Sequence, residues 1–291
     1  MGHCIIPEAE AILDKEFPVL NKGFVRLVDY LGGDERVVQS ARVSYGAGTK
    51  SYREDAGLID YLLRNSHTSP FEQVILTFHI KLPIFIARQW IRHRTARLNE
   101  ISGRYSVMKD EFYLPELEEL ALQSADNKQG RSDEALDPEL AKKIRSILAE
   151  GQSSAYAAYS SLINEGLARE LARINLPLSL YTEWYWQIDL HNLFHFLKLR
   201  LDGHAQKEIR LYAETIFEIA KKVAPCCCES FERHTLRGVR FSAIELEELQ
   251  RRLTLKTGTV DTAGDQNNNA SILSGKDLER FEEKLKTGRQ R

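Results

Sequence analysis

The chain has 291 residues, with 40 Lys and Arg against 42 Asp and Glu and a formal net charge of -2. That balance excludes a polycation binding nucleic acid over its whole surface, so any anion site must be a local gathering of arginines. The 43% hydrophobic content suffices for a sizeable core. No apolar run approaches the roughly 20 residues that span a bilayer, and no leader pattern follows Met1, so a cytoplasmic domain with a tail is expected.

Residues 23–31 (GFVRLVDYL) alternate and predict a strand, and 34–42 reads as a short helix. Residues 54–66 carry Leu58, Ile59, Leu62 and Leu63 at helical spacing. His67-Thr68-Ser69-Pro70 ends that helix, because proline disfavours helical geometry at the residue before it. Val74, Leu76, Phe78, Ile80 and Leu82 alternate with polar neighbours, a half-buried strand signal closed by Pro83. A helix resumes over 84–94, which places the following run RHRTARLNEISGRYS at a helix end and in a loop. A polar insertion at 124–137 precedes a long helix over 139–164, and 168–175 adds a short helical piece stopped by Pro177. Residues 180–188 (LYTEWYWQI) predict a buried strand, Asp189 can N-cap a helix over 190–201, and 204–223 is a last core helix. Helices interleaved with a few strands imply an α+β fold with a central sheet. The character changes near Phe241, which divides the chain into 1–240 and an extension at 241–291. Within that extension, 244–255 reads as a charged helix, 258–275 as a flexible linker and 276–286 as a small terminal helix.

The densest chemistry is Arg92-His93-Arg94, followed after seven residues by Ser102. Guanidinium groups are rigid forks of donors suited to phosphate and to pyrimidine carbonyls. Asn99 and Glu100 add acceptors, and Gly103 lets a backbone approach a ligand closely. A bare RHR triplet equally fits a solvated basic helix surface. Arg169 and Arg173 share a helical face, an arrangement that by itself fits a solvated Arg/Glu surface. His191 and His195 have the i, i+4 spacing of a zinc pair, but Asn192 stands where a zinc peptidase carries Glu, and two core histidines fit as well. The residues alone therefore leave open a nucleic-acid-binding module and a zinc hydrolase. Cys4 and the trio Cys226-Cys227-Cys228 contain no CxxC pair and read as reduced, partly buried thiols, the trio ending an amphipathic helix. No GxGxxG dinucleotide fingerprint is present, since Gly32-Gly33 lacks a third glycine.

Taken whole, Arg-His-Arg, seven residues, Ser, with Asn99-Glu100-x-Ser102-x-Arg104-Tyr105, resembles the signature of the flavin-dependent thymidylate synthases (ThyX). The segments His67-x-Ser69-Pro70-Phe71-Glu72 and 169–177 are similar to further blocks of that family. So is Asp189-Leu190-His191…His195…Arg200 with Gly203-His204-Ala205-Gln206, and the likeness covers roughly residues 23–232. It implies a ThyX-like α+β fold with a central, mostly antiparallel sheet and long helices. The implied activity is reductive methylation of dUMP to dTMP, with FAD as cofactor, NADPH as reductant, 5,10-methylenetetrahydrofolate as one-carbon donor and tetrahydrofolate released. Flavin contacts are implied for Ser69, Arg92, His93, Arg94, Glu100, Asp189, Leu190, His191 and His195. Contacts with dUMP are implied for Gln89, Trp90, Ile91, Arg92, Glu100, Ile101, Ser102, Gly103, Arg104, Arg173 and Arg200, and His67 would line the folate and nicotinamide region. Arg200 is the implied catalytic residue, a cation that favours ionisation of the uracil N3. Arg173 would reach the phosphate from a neighbouring subunit of a homotetramer with interfacial active sites. The Asp-Leu-His…His form departs from a widespread Asn-Ala-Arg…Asn version, which leaves open which atoms meet the flavin. Metal, nucleic-acid and membrane partners are not implied. Pro225-Cys226 resembles the Pro-Cys-Gln of the thymidylate synthases that use a cysteine nucleophile, but Cys227 replaces the Gln.

Overall fold

The computed structural model describes residues 4–45, 52–125, 130–257, 273 and 275–287. In chain order the first half holds α1 (Pro7–Glu10), β1 (Glu16–Val19), β2 (Gly23–Leu31), α2 (Asp34–Ala41), α3 (Tyr52–Arg64), β3 (Ile75–Pro83), α4 (Ile84–Trp90) and β4 (Arg97–Glu100). There follow β5 (Ala121–Gln123), β6 (Arg131–Ala135), α5 (Pro138–Asn164), α6 (Arg169–Ala172), β7 (Tyr181–Asp189), α7 (Leu190–Arg200), α8 (Lys207–Val223) and α9 (Pro225–Phe231). Two helices, α10 (Ala243–Thr257) and α11 (Gly275–Thr287), complete the described elements.

Alternation in sequence becomes two unlike faces of one antiparallel sheet, ordered β1-β2-β3-β7-β4. Strands β3 and β7 pair along their full length, from Ile75 opposite Asp189 to Pro83 opposite Tyr181. Leu76, Phe78, Ile80, Trp184, Trp186 and Ile188 are buried on one face. There Trp90 of α4 packs edge-on against Trp184, Trp186 and Tyr212 and tilted against Phe196, with ring centroids 4.6–6.0 Å apart. Removing such a ring typically costs about 3–5 kcal/mol, through lost burial and the cavity left behind. The other face carries Thr77, His79, Tyr185 and Gln187. Gly23, where β2 begins, is required by close approach: a Cβ there would meet the Tyr212 hydroxyl at 2.0 Å. That hydroxyl donates to the Lys81 carbonyl at 2.7 Å, which locks α8 to the sheet.

A second cluster anchors the chain after the signature. Met108, Phe112, Tyr159, Ala172 and Leu180 pack together, the Met108 N–H donates to the Tyr159 hydroxyl at 3.0 Å, and Tyr156 donates to the Met108 carbonyl at 3.0 Å. Helix α5 starts where Pro138 follows Asp137, whose carboxylate accepts from the N–H groups of Glu139 and Leu140 at 3.1 Å.

Four expectations change. Part of the run expected as loop is strand β4, paired with β7 at the sheet edge, and α4 stops at Trp90. The polar insertion contributes a strand to the β5–β6 pair. The three cysteines form their own helix, α9, whose first N–H groups are held by the Asp34 carboxylate at 2.8 and 3.0 Å. Finally, α1 and β1 have no counterpart in the sequence reading.

The chain divides into two compact units, Met1–Phe231 and Glu232–Arg291. In the second, Ser242 and Glu245 form a reciprocal cap at the start of α10, and Phe241 meets Phe281 edge-on at 6.1 Å. Arg251 and Arg252 both pair with the fully buried Glu248. The expected linker at 258–275 lies outside the described residues except for Leu273 and Gly275. Among the described residues no helix is long and apolar enough to cross a membrane.

Candidate functional site

The arginine run folds into two groups rather than one. The first gathers where α4 ends and α7 ends. Arg200, on the last turn of α7, donates through Nε to His93 Nε2 at 3.1 Å and through a terminal nitrogen to the Gln89 carbonyl at 3.4 Å. Burial, the Arg200 charge and His195 together lower the His93 pKa to about 4, so its ring is neutral at ordinary pH. Its Nε2 is then an acceptor, and any ring proton sits on Nδ1. Burial also lowers the pKa of Arg200, which remains a cation near neutrality. His93 meets His195 at 5.9 Å and Phe196 at 5.0 Å, which places the RHR triplet over α7. Arg92 and Arg94 flank it, exposed and without a hydrogen bond or ion pair to any other described residue.

Helix α7 also organises the flavin candidates. Asp189 caps it, accepting from the Asn192 N–H at 2.9 Å. Phe71, just after His67-x-Ser69-Pro70, packs toward Phe194 at 6.4 Å, and the Leu190 N–H donates to the Val74 carbonyl at 2.8 Å. Ser69 and the first turns of α7 therefore belong to one neighbourhood, with Ser69 and His67 exposed and His67 edge-on to Tyr61 at 5.8 Å. Leu190 and Trp90 are fully buried, so neither side chain is open to a ligand in this chain. His191 and His195 acquire no third ligand: among the described residues, no group of three or more His, Cys, Asp or Glu could hold a metal ion.

The second group forms beyond β4, whose four residues span roughly 10 Å. The Glu100 carboxylate accepts from the Thr182 hydroxyl at 2.6 Å, and the Ile101 N–H donates to the Glu183 carbonyl at 2.9 Å. A Cβ on Gly103 would lie 3.1 Å from Arg173 Cδ, so the Arg173 side chain rests on the signature loop of its own chain. Arg104 pairs with Glu170 at 3.1 Å, and Arg169 donates to the Tyr105 carbonyl at 2.7 Å. Arg173 itself is exposed and has no ion pair among the described residues. Ser102 accepts from the Arg104 N–H at 3.3 Å, and among the described residues no base is hydrogen-bonded to it to activate it as a nucleophile. Among the described residues, no hydrogen bond or ion pair joins the two groups. Ile91 and Ile101 are both exposed, one in each.

The cysteines stand apart. Burial, with the Asp34 carboxylate adding its charge, pushes the Cys227 thiol well above its ordinary value, so it is not a thiolate.

Beyond the residues named from sequence, the structure adds Tyr113, Arg131, Gln206 and Glu208. They border a cavity of about 520 Å3 and connect to Gln89. Gln206 falls in the segment Gly203-His204-Ala205-Gln206, but nothing in its spacing signals the link.

Exposed unpaired guanidinium groups beside a half-buried Arg–His pair, on an antiparallel sheet backed by helices, define a ThyX-like α+β protein with a donor set suited to a phosphorylated ligand. A family model described as "Thymidylate synthase complementing protein" matches residues 26–226, and "Thymidylate synthase ThyX C-terminal domain" matches 239–291. A flavin-dependent thymidylate synthase of Treponema denticola is 65% identical over 96% of this chain and 100% of its own length. The Treponema pallidum counterpart is 57% identical over 100% of this chain and 91% of its own. Among solved structures, a UMP/dUMP methylase PolB of Streptomyces cacaoi bound with 5-Br UMP superposes with a TM-score of 0.67 at 31% identity, covering 75% of this chain and 96% of that one. The chain belongs to the flavin-dependent thymidylate synthase family.

Proposed function

We propose that this chain converts dUMP to dTMP in the cytoplasm, using FAD, NADPH and 5,10-methylenetetrahydrofolate and releasing tetrahydrofolate. The observation that carries the reading is the half-buried Arg200–His93 pair flanked by the free cations Arg92 and Arg94. The donor set suits a flavin dinucleotide: cationic forks for the diphosphate, and polar groups at Ser69, Glu100, Asp189, His191 and His195 for ring and ribose edges. When bound, the flavin would pass reducing equivalents from NADPH to the one-carbon unit on the pyrimidine; His67 would border the entry of folate and nicotinamide.

The protein's own part is binding and charge control. Arg200 gives one donor to His93 and one to Gln89, leaving its remaining terminal nitrogen for the nucleotide. A fixed cation beside the uracil N3 favours the ring anion and polarises C5 and C6. Neutral His93 absorbs no charge from Arg200 and so leaves that field undiminished.

Arg173 goes with Ser102–Arg104, and both lie across β4 from Arg200. This supports a site in which one subunit supplies Gln89, Arg92, His93 and Arg200, and a neighbour supplies Ser102, Gly103, Arg104 and Arg173, in a homotetramer. On this reading residues 1–240 carry the catalysis and 241–291 form an extension.

An absorption spectrum of the purified protein tests the reading, followed by NADPH oxidation with and without dUMP. Expected are a yellow protein that releases FAD and NADPH consumption that responds to dUMP. Colourless protein that takes up no added FAD would overturn it.

A further inference from the structure

Gln89 is held by a chain of side chains that ends in a buried carboxylate. Its amide nitrogen donates to Gln206 Oε1, and Gln206 Nε2 donates in turn to Glu208 Oε2 at 2.8 Å. Glu208 is 2% exposed. Its other oxygen accepts from the Tyr113 hydroxyl at 3.0 Å and from the Arg131 guanidinium of strand β6. The Tyr113 hydroxyl also lies 3.2 Å from the Glu119 carboxylate, so its one proton is shared between the two acids, and Lys207 neutralises Glu119 at 3.0 Å.

The direction of this chain is dictated by its far end. Burial raises the Glu208 pKa, but the Arg131 hydrogen bond and charge outweigh it and hold the carboxyl below its ordinary range. A carboxylate only accepts, so Gln206 must turn its N–H toward Glu208 and its carbonyl toward Gln89. Gln89 must then offer its own N–H to Gln206, leaving its carbonyl oxygen without a partner among the described residues. Gln206 occupies the N-cap position of α8 yet makes no side-chain cap there. The side chain forgoes local helix capping and serves the link instead.

We propose that Gln206 and Glu208 are positioning residues that fix the donor–acceptor polarity of the Gln89 amide. Gln89 thereby presents its carbonyl oxygen to a hydrogen-bond donor of the bound nucleotide, the sugar hydroxyl, since the one ring N–H is the group whose ionisation Arg200 favours. This rests on dUMP being the substrate. It also gives the β5–β6 pair a role, because Arg131 is the cation that keeps Glu208 ionised.

The test is a double-substitution cycle read by dUMP titration calorimetry and steady-state kinetics on the full-length, FAD-loaded protein. Gln206→Met keeps length and removes the relay. Expected is a rise of about tenfold in the Kd and KM for dUMP, the size of one well-placed hydrogen bond, with kcat little changed. In a Gln89→Ala background the same substitution should add nothing, because the amide it orients is gone. A Gln206→Met effect that persists undiminished in that background would mean a merely structural role and overturn the proposal. Arg131→Gln, on a partly exposed side chain, is the second variant should Gln206→Met fold poorly; unaltered dUMP affinity there would equally contradict it. The 3′-deoxy analogue of deoxyuridine 5′-monophosphate checks the donor: loss of the sugar hydroxyl should abolish the difference between wild type and Gln206→Met, and an undiminished difference would contradict the proposal. Wild-type protein that binds no dUMP at all would defeat the underlying reading instead, and with it this inference.

Discussion

One fifteen-residue run contributes to two unlike places. Its Arg92–Arg94 end is backed by α7: His93 and Arg200 are half-buried, mutually hydrogen-bonded and tied to Gln89. Its Ser102–Tyr105 end is mostly exposed and is held by α6 and the segment after it through Glu170, Arg169 and Arg173. The first is pre-organised with its protonation states set by burial. The second offers charge with little enclosure around it. A tightly held half suits chemistry, where the field must be in place before reaction, and an open half suits capture of a phosphate.

Substitution should separate the halves. The largest effect belongs to Arg200→Ala, expected to lower kcat by about 10²–10³-fold while flavin is retained, measured by single-turnover dTMP formation and by the flavin spectrum. Loss of flavin in proportion to activity would assign Arg200 to the cofactor rather than the uracil. Next is Arg173→Ala, expected to raise the KM for dUMP about tenfold at nearly constant kcat, because a phosphate contact is present in ground and transition states alike. Gly103→Ala should act in the same direction and more weakly, since its Cβ would press on Arg173 Cδ at 3.1 Å and Met108 Sδ at 3.0 Å.

The enclosed half also carries a pH signature. The folded-state pKa of His93 is about 4 against an ordinary 6.5, so the unfolded chain binds more protons between those values. His93 therefore leaves stability intact above about pH 6.5 and erodes it as pH falls toward about 4. A His93→Asn variant should show a shallower decline in melting temperature across that window, and an unchanged slope would contradict the buried neutral ring. The smallest effect is expected from Cys227→Ala, with turnover unchanged and only a modest loss of melting temperature, because the protonated, buried thiol takes no part in the reaction. A large loss of turnover in a stably folded variant would reinstate a cysteine role.

The sequence carried the core well and the edges poorly. Strand β3 alternates because one face is buried against helices, so its period shows. Strand β4 is exposed at every position, so Arg97–Glu100 carries no alternation and becomes a strand only by pairing with β7. Trp90 and Leu190 fall inside the family's motifs, yet a motif does not tell side chain from main chain; both side chains belong to the core. Gln206 and Glu208 reach Gln89 and Arg131 only through the folded packing, and no local period encodes such a link. The resemblance, by contrast, rested on motif chemistry, which survives at the level of single residues.

The division of one site between two copies is the central claim, and subunit mixing tests it most directly. Arg200→Ala and Arg104→Ala/Arg173→Ala proteins, each impaired alone, are dissociated, mixed in equal amounts and reassembled, and dTMP formation is measured at dUMP well below the variant KM. If each site takes one half from each of two copies, about a quarter of sites in a random mixture carry neither defect, and activity returns to about a quarter of the wild-type rate. A mixture no more active than the average of the two variants would show that each site is built from a single chain.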